Sequence, residues 1–161
     1  MIQRFTISIL FCFLFKLSCW ANPDSLALKA YEKAFDNLNT MLNGQQTPSF
    51  KQAVYITENA YYNDTLSYEK FSNQIKFLTY FAKTILATRP IVYDGKDEES
   101  IAIQGAVFKV MTDTTYLKAD SLVFIHQPFT YDFEDMWGVN DWSKMFVTKL
   151  LATQTGQCHS M

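Results

Sequence analysis

Beyond its first 21 residues the chain holds a single cysteine, Cys158. An intrachain disulfide needs two, so the fold must be held by apolar burial and hydrogen bonding alone. The material for that is present, since 14 Phe and 9 Tyr supply large apolar surfaces. Only four Pro and five Gly interrupt the sequence, too few for a linker-like or disordered chain. A lone thiol is an intermolecular link, an inert buried residue or a reactive group. Its surroundings, Gly156-Gln157-Cys158-His159-Ser160, do not look like a core segment and favour the reactive reading.

Residues 1–21 have the three parts of a secretory signal. Arg4 supplies the positive start, residues 5–15 are mostly large and apolar, and Cys19-Trp20-Ala21 ends in a small residue suited to cleavage. The apolar run is shorter than the roughly 20 residues of a membrane-spanning helix, and Lys16 interrupts it, so no membrane span is expected. Leu17-Ser18-Cys19 is a partial lipoprotein box, but Lys16 stands where that box wants an aliphatic residue. Cleavage after Ala21 therefore ranks above a lipid anchor at Cys19. The expected location is exported, periplasmic or secreted, and either route leaves Cys158 alone.

Loss of Arg4 and Lys16 takes the net charge from -2 to -4, with 12 basic and 16 acidic residues left. No basic stripe exists, which argues against nucleic acid as a partner. Asp94-Gly95-Lys96-Asp97-Glu98-Glu99 has a faint calcium-loop look without the ligand spacing of such loops, and reads as a solvated turn that caps the next helix. No repeat appears at solenoid periods.

Helical periodicity dominates the remainder. Asp24 or Ser25 can cap a first helix to residue 43, with Leu28, Tyr31, Ala34, Phe35, Leu38, Met41 and Leu42 on one face and Gly44 as its stop. Ser49 can cap a second, with Phe50, Ala53, Val54, Thr57 and Ala60 at helical spacing, broken by Asn63-Asp64-Thr65. A third spans residues 67–88, with the stripe Phe71, Ile75, Leu78, Phe81, Ala82, Ile85 and Leu86, and Arg89-Pro90 ends it. Residues 98–111 read as a fourth helix, residues 112–120 as a polar turn, and residues 121–131 as a short strand or extended segment. A loop over residues 132–141 carries Trp137 and Gly138, and Asp141 can cap a last helix over residues 142–152. The expected fold is mainly α, with any sheet lying mostly beyond residue 161.

A thiol is nucleophilic only as thiolate, and the first turn of a helix favours that form because its unpaired amides carry partial positive charge. The same amides can hold the oxyanion of a tetrahedral intermediate. The pattern needed is a polar, glycine-containing turn, then Cys, then helix, and Thr153-Gln154-Thr155-Gly156-Gln157-Cys158 supplies its first half. The tract Phe129-Thr130-Tyr131-Asp132-Phe133-Glu134-Asp135, then Gly138, Asp141-Trp142, Phe146-Val147-Thr148-Lys149-Leu150-Leu151 and Gly156-Gln157-Cys158-His159-Ser160 resembles the start of a transglutaminase-like cysteine domain (papain-like fold) of exported or lipid-linked bacterial proteins. The resemblance covers the last fifth of the chain. It implies an N-terminal helical region over residues 22–120, an incomplete transglutaminase-like domain from 121 to 161, and an α+β fold whose sheet lies beyond the chain end. It also implies that Cys158 is the catalytic nucleophile, that the family's His and Asp follow further on, and that no metal or organic cofactor is used.

The expected function is therefore the N-terminal fragment of an exported enzyme that transfers acyl groups from an amide or peptide carbonyl of a protein or peptide substrate. Hydrolysis is expected rather than cross-linking, and the fragment alone is expected to be inactive. His159 is not expected to serve as base, because neighbouring helical residues point about 100° apart. His126 precedes the cysteine, and both histidines read as structural or surface groups. Trp137 and Trp142 read as core residues or as walls of a substrate channel. The cluster Tyr55, Tyr61, Tyr62 and Tyr68 reads as amphipathic packing, with a peptide or glycan surface as the other possibility. The competing function is a non-catalytic exported helical module that binds a peptide, glycan or partner protein.

Overall fold

The computed structural model describes residues 23–89 and 96–161. The expected export signal, including Cys12 and Cys19, lies outside the described residues, as do Asp94 and Gly95 of the charged turn. The described part is mainly helical, with five α-helices and two small sheets. It divides after Thr65 into two compact units. The boundary expected at residues 120 and 121 falls instead in the turn of a β-hairpin.

The first unit is a pair of helices, α1 (Pro23–Leu42) and α2 (Phe50–Tyr61). α1 begins ahead of Asp24 and Ser25, so neither is its cap. Gly44 (φ +71) follows its end as expected. Ser49 does cap α2, accepting the Gln52 amide on its hydroxyl. Ala30 and Ala34 of α1 meet Ala60 of α2, with Ile56 packed alongside. Asn63 and Asp64 then turn through left-handed backbone, a conformation Asn and Asp tolerate. The Asp64 carboxylate there takes the Lys33 ammonium at 2.7 Å and the Asn59 amide at 2.9 Å, tying the turn to both helices.

The large side chains of α1 are not what it buries. Leu28, Tyr31, Phe35 and Leu42 are exposed, and the face against α2 is the smaller one of Ala30, Ala34 and Met41. Phe50 is also exposed, at 86%. Small residues let two helices approach closely, so α1 meets its partner on a stripe that size and hydrophobicity alone would rank second.

In the second unit the expected α3 (Tyr68–Thr88) forms with Ser67 accepting the Lys70 amide. It ends at Thr88, ahead of Arg89-Pro90. Its whole stripe is buried or half-buried. Phe81, Ala82 and Ile85 pack with Ala106 and Val110 of α4 (Glu98–Thr112) and with Leu117. Asp97 occupies the N-cap position of α4 but makes no side-chain cap bond, so the charged turn does not cap the helix in the expected way.

Residues 112–120 are not only a turn. β1 (Thr115–Ala119) and β2 (Leu122–His126) pair antiparallel from Thr115↔His126 to Ala119↔Leu122. Asp120-Ser121 make the two-residue turn, with Asp120 at φ 52. His126 carries the hairpin into the core. It is buried, its ring lies 5.4 Å from Phe81 and 5.5 Å from Phe129, and its Nε2 sits 2.8 Å from the Val110 carbonyl. A carbonyl only accepts, so Nε2 carries the proton. His126 is thus structural, one of the two roles expected of it.

The last segment runs β3 (Thr130–Tyr131), a 3-10 turn (Trp142–Met145), α5 (Val147–Thr153) and β4 (Thr155–Gly156). Asp141 caps as expected, taking the Ser143 amide, but the helix expected over residues 142–152 breaks at Phe146, which is extended (φ -89, ψ 139). β3 and β4 pair in parallel, Thr130↔Thr155 and Tyr131↔Gly156.

The contrast between buried and unburied aromatics has a direct test. Phe81→Ala should lower unfolding free energy by about 3–5 kcal/mol, whereas Phe35→Ser should change it by no more than about 0.5 kcal/mol. Urea titration of both variants followed by circular dichroism measures the two values. A large loss at Phe35 would show that the α1 stripe is buried after all.

Candidate functional site

The site is built on the short β3–β4 ladder. The Thr130 amide donates to Gln154 O and the Asp132 amide to Gly156 O, both at 2.8 Å, and this fixes where the chain leaves α5. Gln154 (φ 58) makes the left-handed exit. Gly156 then passes so close to its neighbours that a Cβ there would lie 2.4 Å from Ser160 Oγ and 2.8 Å from Leu150 Cδ1. Only glycine fits without displacing them.

Beyond Gly156 the chain turns. Gln157 O accepts the amides of Ser160 and Met161, both at 3.0 Å, and the second of these bonds has helical spacing. Ser160 Oγ closes the turn by accepting the Gln157 amide at 2.9 Å and donating to Gln157 O. The Gln157 side chain is almost wholly buried, and its Nε2 donates to the Asp135 carbonyl. Its Oε1 is buried with no partner among the described residues. Cys158 follows directly and is exposed, so the reading of an inert buried thiol does not apply.

Two side chains attend the thiol. Cys158 Sγ lies 3.5 Å from His159 Nδ1, although adjacent residues were not expected to face each other. The 100° spacing holds within a regular helix, and Cys158 and His159 sit in a turn. His159 is itself exposed. Tyr131, opposite Gly156 in the ladder, places its hydroxyl by Cys158. Burial and the neighbouring thiol raise the Tyr131 hydroxyl above the usual phenol range, while the Cys158 amide works the other way. Tyr131 was not singled out from sequence, because nothing local marks a two-residue parallel pairing across 24 intervening positions.

Asp135 was not singled out either. Its buried carboxylate accepts the amides of Val139, Asn140 and Asp141 at 2.9–3.0 Å, folding the loop that Gly138 (φ +63) turns. Burial pushes Asp135 up, but those amides, Asp141's foremost, outweigh it and hold the group below the ordinary carboxylate range. The available sequence cue was an Asp three residues before a Gly.

Two ion pairs stiffen the same loop. Lys144 lies 3.0 Å from Asp132, and its hydrogen bond lowers the Asp132 carboxyl and raises the lysine. Lys149 lies 2.9 Å from Asp141, which the Ser143 hydroxyl and then Lys149 hold down to about 2. Trp137 and Trp142 border this loop at 78% and 63% exposure, so neither is a core residue. Tyr61 and Tyr68 are exposed, and Tyr55 and Tyr62 half-buried. Among the described residues no group of three His, Cys, Asp or Glu is placed to hold a metal ion.

Three carboxylates with lowered values make this loop sensitive to acid. A depressed folded value contributes stability that is complete above the unfolded value of about 3.9 and is lost as pH falls through the folded one. Near-ultraviolet dichroism from Trp137 and Trp142 should therefore hold steady above pH ~5 and fall away toward pH ~2. Asp141→Asn should weaken the signal near neutrality and flatten its acid dependence. A transition centred near pH 6 would point to a different group.

No protein-family model, curated protein or solved structure matches this chain.

Proposed function

We propose that Cys158 is the nucleophile of an exported transglutaminase-like cysteine enzyme, acting on an amide or peptide carbonyl, of which this chain carries the N-terminal part. The observation that carries the reading is the exposed thiol on a turn of helical spacing directly behind β4. A strand that delivers a cysteine to such a turn is the arrangement that nucleophilic acyl transfer requires. The thiolate adds to the carbonyl carbon, the C–N bond breaks with the amine leaving protonated, and a thioester forms. Water then releases the acid and restores the thiol, or an amine takes the acyl group. The resemblance assigns the base and its orienting acid to a His and an Asp later in the protein. In this chain His159 is the imidazole within reach of the sulfur. The resemblance also supports a papain-like arrangement of the complete fold, and it involves no metal or organic cofactor.

Reactivity of the thiol tests this directly. With the folded chain and Cys158→Ser as the blank, iodoacetamide should label Cys158 several-fold faster than it labels an unstructured cysteine peptide at the same neutral pH. Labelling slower than the peptide sinks the nucleophile and leaves the non-catalytic binding module as the better reading.

Export has its own readout. Expressed with residues 1–21 in a secreting bacterial host, the protein recovered outside the cytoplasm should begin at Asn22 and titrate as a single thiol. Mass spectrometry decides the point. A lipid-modified Cys19 would replace the soluble form by an anchored one, and an uncleaved N-terminus would remove the export proposal. No helix among the described residues is long and apolar enough to cross a membrane.

A further inference from the structure

The second unit contains a groove of about 480 Å³ that the cysteine chemistry does not use. Its walls are α3, α4 and α5, through Leu78, Leu86, Ile103, Val107, Val147 and Leu151, and Ser160 and Met161 border it. Its volume falls within the range of sites that enclose small ligands, roughly 300–1,000 Å³. Ile103 and Val107 each remain 47% exposed on its wall, so the three helices leave apolar surface uncovered there.

The polar inventory of the lining decides what can enter. It comprises three side chains: Thr79, Lys83 and Ser160. The Thr79 hydroxyl donates to the Ile75 carbonyl at 2.8 Å. Ser160 Oγ is spent in both directions on Gln157. Lys83 is exposed and makes no ion pair among the described residues. The groove therefore offers apolar wall and one uncommitted cation. A glycan, a nucleotide or an extended peptide would bring polar groups that find no partners there, and each such group is costly to bury. A long acyl chain brings none, and a carboxylate at its end matches the lysine.

We propose that this groove binds the chain of a free fatty acid, with its carboxylate at Lys83. The proposal does not depend on Cys158.

Calorimetric titration of the full chain with dodecanoate below its micellar concentration should show saturable binding, and dodecanol should bind more weakly. Lys83→Ala should weaken dodecanoate about two- to fivefold, as loss of one exposed ion pair does, and leave dodecanol unchanged. Val107→Trp fills the groove and should abolish binding of both, with the helical dichroism intact. Lys83→Glu changes only an exposed side chain, so it keeps the proposal falsifiable if the tryptophan variant does not fold. It should weaken dodecanoate more than Lys83→Ala does. No heat of binding, as expected if an apolar helix already fills the groove, overturns the proposal. So does equal affinity for acid and alcohol unaffected at Lys83, or full binding by a folded Val107→Trp protein.

Discussion

The close approach of Gly156 to Leu150 and Ser160 is the contact on which the site depends. It brings β4 against α5, and with β4 in place the parallel bonds to β3 can form. Those bonds bring Tyr131 alongside the turn that carries Cys158. The turn in turn relies on Ser160, whose hydroxyl both accepts from and donates to the Gln157 backbone. A side chain at residue 156 would push on Ser160 and Leu150 together, so a single steric fact links the packing of α5 to the direction of the thiol. Two residues of ladder on each strand would be marginal by themselves. Here they are supported by a helix on one side and a hydrogen-bonded turn on the other.

Asp135 supplies the second support. Its carboxylate gathers three consecutive amides of the loop, while its own carbonyl receives the buried Gln157 side chain. One residue thereby couples the loop to the turn. The ion pairs at Asp132 and Asp141 reach from the same loop to the 3-10 turn and to α5. Asp132 and Lys144 are mostly shielded from solvent, and that pair contributes more than the exposed Lys33–Asp64 pair of the first unit, for which at most about 1 kcal/mol is typical.

Helices were legible wherever local rules were sufficient. Ser49 and Ser67 announce their caps because a hydroxyl three residues before an amide acts within one turn. Arg89 ends α3 through the geometry that the following proline imposes. The α3 stripe was legible because its period matches the face that the core uses. The α1 stripe misled for an instructive reason: periodicity reports which residues share a face, not which face finds a partner. Alanines won the contact with α2, and the larger side chains stayed outside. β1 was missed because Thr115-Tyr116-Leu117-Lys118-Ala119 becomes a strand by pairing with Leu122–His126, and strand preference depends on such context. The position of Cys158 on an exposed turn was readable from Gly156 and its polar neighbours. Its companions were not, since Tyr131 and Asp135 reach it only through tertiary structure.

The cysteine turn and the apolar groove are two sides of one piece of packing. Leu150 and Ser160 border the groove, and they are the same side chains that Gly156 approaches. Leu150 is buried to 3% exposure, so it has little freedom to move toward one side without leaving the other. Protein interiors are packed too densely to absorb such a shift without strain. Whatever fills the groove must therefore accept Leu150 and Ser160 in the positions that the cysteine turn requires. That favours a pliable apolar chain over a rigid body, because the former adapts to a wall that is already fixed from behind.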